Sequence, residues 1–304
     1  MDLNITCWDP KSLALDATIL IVGKRNTGKT TLTRDLMYNI KDKIDLCVGM
    51  NPTEMANHNL EFFIPKSFIY HNFDDEKLKH ILEWQKRCVA NNKAMRVGFI
   101  MDDCMSEQSE SINGRKKKVM SSNEINKVFK LGRHLKLFYI NAMQYIKDAP
   151  PDVRGNVDLL FAFNTSSGAE REKLWKEYFA MFKNYKDFSK VFDACAQGYD
   201  CIVLDTRRMS SNPTDCVFYY RATYRKEPFK VGREIFWKLS DHYFEDKTDY
   251  SMDVNKVIGK NFLNNELNII KKPLENPLEE KEKIEKNNNS KQPISILKSI
   301  SSLK

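Results

Sequence analysis

The stretch "ILIVGKRNTGKTTL", residues 19–32, joins a short apolar run to an amphipathic one through a loop with a glycine at each end. Four apolar residues in succession suit a strand buried on both faces, and Leu32, Leu36 and Ile40 then recur at helical spacing. The chain has only 11 glycines in 304 residues, so Gly23 and Gly28 mark places where the backbone must turn. A loop of this kind, leading from a strand into a helix, lets successive N–H groups converge on one point while the helix N-terminus adds its positive end. The spacing GxxxxGK[ST] in that context predicts a phosphate-binding loop made of Gly23, Lys24, Arg25, Asn26, Thr27, Gly28, Lys29, Thr30 and Thr31. Lys29 is expected to reach the β- and γ-phosphates of ATP, and the Thr30 hydroxyl to hold Mg2+.

A second strand should then end in a carboxylate that supports the metal. "VGFIMDD", residues 97–103, supplies it. Asp102 is expected to bind Mg2+ through its water shell, and Asp103 to take a proton from the attacking water or to orient it. Adjacent carboxylates repel a polyphosphate unless a cation lies between them, so the pair makes most sense with Mg2+ present. A strand ending in a polar turn is the plain alternative.

Further apolar runs predict strands at Asp45–Gly49, Leu135–Ile140 and Val157–Phe163, alongside Ile19–Val22 and Val97–Met101. Helical stripes lie between them: Leu78, Ile81, Leu82, Cys88 and Val89 form one, and Ile125, Val128 and Phe129 another. This alternation predicts an α/β fold with a mainly parallel sheet and helices on both faces. Ligands in such sheets bind beyond the carboxyl ends of the strands. Ser167 reads as a helix cap, "DCIVLD" (200–205) and "DCVFYYRA" (215–222) as two more strands, and Ile235, Phe236, Leu239 and Tyr243 as a last amphipathic helix. Residues 1–263 are expected to form one domain. The remainder, 264–304, is rich in Lys, Asn, Glu and Ser with no sustained apolar period, which predicts a disordered tail.

No run of eighteen apolar residues occurs, and the N-terminus lacks the basic start and apolar middle of a signal peptide, so a soluble intracellular protein is expected. The seven cysteines are scattered without a CxxC pair, which argues against a disulfide frame or a zinc site and for buried thiols. A net charge of +8 favours acidic partners only slightly. Four consecutive basic residues, Arg115–Lys118, offer sequence-independent contacts to nucleic-acid phosphates, with Arg207 and Arg208 a weaker candidate and a solvated loop the plain alternative.

"FKLGRHLKLFYINAMQY", residues 129–145, reads as a helix end, a basic turn, an apolar strand and then Gln144 just past its carboxyl end. Should that strand lie between the two bearing the nucleotide motifs, Gln144 would meet the γ-phosphate or the attacking water. Arg133, at the opposite end, would reach only a neighbouring subunit's nucleotide, where a guanidinium neutralises charge on the transferred phosphoryl group. A surface amide and a solvated helix-end charge are the alternatives.

The ordered set GKRNTGKT, VGFIMDD, GRHLKLFYINAMQ and PPDVRGNVD resembles the genome-packaging ATPases of the nucleocytoplasmic large DNA viruses, members of the FtsK/HerA superfamily of P-loop motors. The likeness spans roughly residues 15–220. It implies a P-loop core with a glutamine sensor, an arginine finger, and a homo-oligomeric ring that moves double-stranded DNA. Carried onto this chain, the sensor is Gln144 and the finger Arg133, with Arg154 competing. The setting implied is the host cytoplasm or the virion, with capsid or membrane-associated viral proteins as further partners. One departure is Asp103, where many relatives in the wider superfamily have Glu. A nucleoside or nucleotide kinase and a nucleotide-binding switch are the other classes compatible with the phosphate loop alone.

Overall fold

The computed structural model describes residues 3–104, 108–109, 117–146 and 149–243. The expected tail 264–304, the domain boundary at 263, and Arg115 and Lys116 of the basic run lie outside them. In chain order the strands are β1 (Thr6–Cys7), β2 (Thr18–Val22), β3 (Leu46–Met50), β4 (Ile69–Tyr70), β5 (Val97–Asp102), β6 (Gln108–Ser109), β7 (Lys117–Lys118), β8 (Leu137–Met143), β9 (Leu159–Phe163), β10 (Asp200–Asp205) and β11 (Val217–Arg221). The helices are α1 (Lys29–Ile40), α2 (Glu54–Asn57), α3 (Asp75–Ala90), α4 (Asn123–Leu131), α5 (Pro151–Arg154), α6 (Gly168–Tyr178), α7 (Tyr185–Cys195), α8 (Pro213–Cys216) and α9 (Glu234–Tyr243). Among the described residues, no helix is long and apolar enough to cross a membrane.

Among the described residues nine strands make one sheet in the order β1-β11-β10-β9-β2-β8-β5-β3-β4. From β9 to β4 every neighbouring pair is parallel, whereas β10 runs antiparallel to both β9 and β11. Every residue of β2, β3, β5, β8 and β9 is buried, as helices on both faces demand, and this is why these strands read as unbroken apolar runs. On one face the Cβ position of Gly98 looks toward Met37 of α1. On the other, Tyr139 meets Phe129 of α4 edge-on and stacks on Phe99.

The strand expected at Leu135–Ile140 runs instead from Leu137 to Met143. Leu135 is held in a helix-end turn by bonds to Leu131 and Gly132, and Lys136 takes a left-handed φ of 50° that no strand accommodates. Two cysteines depart from the expected burial: Cys7, exposed on the edge strand β1, and Cys88, half-buried on α3.

Beyond β11 the chain passes over α1 as a belt. Asp35, buried on α1, accepts from the Tyr220 hydroxyl at 2.6 Å, the Thr223 amide at 2.9 Å and the Arg225 guanidinium at 2.7 Å and 2.9 Å. Phe229 then packs against Tyr38, Phe62 and Phe63, and α9 docks with Phe236 against Phe68 and Ser240 bonded to Ser67.

Candidate active site

Three loops meet at the carboxyl edge of the parallel strands: Gly23 follows β2, Asp103 follows β5, and Gln144 follows β8, which lies between the other two. The Gly23 amide donates to the Met143 carbonyl at 3.1 Å, so the glycine loop is fastened to the neighbouring strand from its first residue. A Cβ on Gly23 would sit 2.5 Å from Thr27 Oγ1 and 3.0 Å from Phe163 Cβ. Gly28 has φ +107°, a conformation that side chains rarely adopt. It caps α1 without a side-chain hydrogen bond, so the first-turn N–H groups are presented at the loop. Lys24, Arg25 and Asn26 are exposed along its outer side, while Thr30 and Thr31 are half-buried on the first turn of α1. Asn26 also has a positive φ of 63°.

Lys29 lies buried with Nζ folded onto the carbonyls of Gly23 at 2.7 Å and Lys24 at 3.0 Å. Burial lowers its pKa, Asp103 and Asp102 oppose that fall, and Arg25 adds to it. Asp102 is buried at the end of β5, and burial pushes its carboxyl up to about 6; Lys29 and Arg34 pull it back down, while Asp103 and Glu54 raise it further. Asp103 leaves the strand with φ 57°, its amide donating to the Ala142 carbonyl at 3.0 Å. That turn brings its carboxylate to 2.6 Å from Gln144 Nε2. A left-handed Asp at a strand end is an uncommon conformation that the surrounding packing must hold.

Arg133 and Arg154 are elsewhere. Arg133, with 59% of its side chain exposed, pairs with the buried Asp158, which also accepts from the Thr18 amide and hydroxyl. This is the amino edge of the sheet. Arg154 pairs with Glu177 at 2.9 Å and is 17% exposed. Lys117–Lys118 of the basic run forms a short antiparallel pair with Gln108–Ser109, directly after the acidic strand end. Arg207 and Arg208 both pair with the buried Asp205.

Two neighbours of Asp102 were not foreseen. Arg34 lies one turn beyond Thr30 on α1, a spacing that places it on the same helix face, so helical geometry contained the signal. Glu54 is fully buried and accepts from Asn51 Nδ2 at 2.7 Å and from the amides of Leu60 and Glu61; the irregular segment around it carried no period to read.

Among the described residues no group of three or more His, Cys, Asp or Glu is placed to hold a metal ion. The oxygen donors Thr30 and Asp102 suit Mg2+, which takes its remaining ligands from phosphate and water. The tight glycine turn, the uncapped helix and the buried ammonium fit a nucleotide polyphosphate arriving with that ion.

A buried parallel sheet, a glycine loop entering a helix and an acidic strand end one strand removed define a P-loop NTPase fold. No protein-family model matches the chain. It is 33% identical over 220 residues to protein 088R of Invertebrate iridescent virus 3, spanning 70% of this chain and 80% of that protein. It is also 29% identical over 246 residues to protein L437 of Acanthamoeba polyphaga mimivirus, spanning 78% and 83%. The chain belongs to this family of large-DNA-virus proteins. In fold it is similar to the genome packaging NTPase B204 from Sulfolobus turreted icosahedral virus 2, solved with AMP, at TM-score 0.51 and 16% identity over 69% of this chain and 100% of that one.

Proposed function

We propose that this protein is an ATP-driven double-stranded DNA translocase that packages a viral genome, acting as a homo-oligomeric ring. The observation that carries the reading is the contact between Gln144 and Asp103 at 2.6 Å, on a strand lying between those of the phosphate loop and the acidic pair. A carboxylate fixed by an amide beside the γ-phosphate position is suited to activate water. A kinase would need an acceptor pocket there and gains nothing from that amide. The fold shared with a genome packaging NTPase supports the same choice.

In this reading the loop amides and Lys29 hold the β- and γ-phosphates. Thr30, with Asp102 acting through the water shell, would hold Mg2+, which would supply charge neutralisation on the phosphate oxygens. Asp103 orients a water and takes its proton as the water oxygen bonds to the γ-phosphorus and the bond to the ADP oxygen breaks. Gln144 holds Asp103 in place and is near enough to register the loss of the γ-phosphate. Arg133 serves a neighbouring subunit's nucleotide, because its own lies at the far edge of the sheet. The basic run Arg115–Lys118 meets the DNA backbone without reading bases.

ATP hydrolysis measured with and without double-stranded DNA, alongside particle mass, tests this. DNA-stimulated turnover by an assembled particle is expected. Phosphate transfer to a nucleoside, with no response to DNA, would establish the kinase instead.

A further inference from the structure

The contacts of Gly28 point to a place for the nucleoside. A Cβ built there would lie 3.4 Å from Phe163 Cε1 and 3.5 Å from Tyr199 Cδ1. Phe163 is buried at the end of β9, but Tyr199 leaves 66% of its surface exposed. It stands at the corner of a tight turn in which the Asp200 amide donates to the Gln197 carbonyl at 2.9 Å and Gly198 takes φ +60°. Asp200 is tied in turn to Arg221 at 2.5 Å, so the turn that presents the ring is braced by the β10–β11 hairpin.

Sheet order sets the direction of the ligand. Asp102, Asp103 and Gln144 all lie on the β8–β5 side of β2, which fixes the γ-phosphate end. The rest of the nucleotide must leave on the other side, over the end of β9, where Tyr199 stands. We infer that the Tyr199 ring is the stacking platform for the nucleobase. The inference rests on the nucleotide site proposed above. Stacking uses the π face that every base has, so the platform accepts purine triphosphates generally, and holds pyrimidines less well through their smaller face.

Calorimetric titration of the full chain with Mg2+ and a non-hydrolysable ATP analogue, and separately with inorganic tripolyphosphate, tests it. Tyr199→Ala is expected to weaken the ATP analogue about tenfold or more and to leave tripolyphosphate unchanged, while Tyr199→Trp restores the analogue. A non-hydrolysable GTP analogue should lose affinity by a similar factor. Unchanged analogue affinity in Tyr199→Ala overturns the platform, as does a fall that tripolyphosphate shares. So does a lowered particle mass with normal analogue binding, which would make Tyr199 a subunit contact. Wild-type protein that binds neither probe would overturn the nucleotide site itself.

Discussion

Asp102 and Asp103 are adjacent in sequence and opposite in environment. Asp102 is buried with its carboxyl raised to about 6, whereas Asp103 is turned out of the strand against Gln144. The folded protein keeps the Asp102 proton up to about pH 6, while the unfolded chain loses it near 3.8. The stability contributed by this group is therefore complete below pH 3.8 and lost as pH rises through 6. The rise from 3.8 to about 6 corresponds to about 3 kcal/mol. Asp102→Asn is thus expected to stabilise the nucleotide-free protein in EDTA by up to about 3 kcal/mol at pH 7.5, a gain that fades toward pH 4, while Mg2+-dependent hydrolysis collapses. Urea midpoints across that range decide it, and a gain independent of pH would refute the buried-charge account. Asp103→Asn should still bind ATP but hydrolyse it about a hundredfold or more slowly, the usual scale of a lost general base; wild-type turnover would remove Asp103 from that role. Lys29→Ala should abolish turnover by loosening the phosphates, visible as lost binding of the ATP analogue. The residues behind these predictions were legible because Asp102 and Asp103 close an apolar strand and Lys29 opens the helix that follows the glycine loop. Arg34 acts on the same charge from one turn beyond Thr30, where helical spacing carried a signal, but Glu54 acts on it from an irregular segment with no period to read.

At the level of elements, five of the six parallel strands among the described residues were readable because burial on both faces leaves an unbroken apolar signature, whereas β4, only Ile69–Tyr70, is too short to show one. The belt after β11 was not readable either. Its anchor joins Asp35 to Arg225 across 190 positions, and neither residue departs from what a surface helix or a polar loop would carry. Yet Asp35 is fully buried at the middle of the helix whose N-terminus faces the phosphates. Removing one member of a buried, hydrogen-bonded ion pair leaves the other desolvated and unmatched, a loss of about 3–5 kcal/mol. Asp35→Ala is expected to destabilise the protein by that amount and to weaken ATP binding in proportion to the slackening of α1. Chemical denaturation reads the first effect. A variant with wild-type stability would show that Phe229 and the docking of α9 hold the belt without the carboxylate.

For the whole molecule, the disposition of charge across the sheet makes a claim about assembly. The acidic pair, Gln144 and the phosphate loop occupy the carboxyl edge, and Arg133 occupies the amino edge, so one subunit does not bring them together. Arg133 is more available than Arg154: 59% of its side chain is exposed, against 17%. Its partner Asp158 keeps two bonds from Thr18 when the guanidinium leaves, so release to a neighbour does not strand a buried carboxylate. Arg133→Ala is accordingly expected to keep near-normal nucleotide affinity and to lose hydrolysis only in assembled protein. Mixing it with Lys29→Ala provides the decisive case. A subunit with an intact phosphate loop but no finger then sits beside one with an intact finger and no working loop, and partial activity should return. Absence of recovery in a ring verified to contain both would transfer the role to Arg154, and the same mixture made with Arg154→Ala would test that directly.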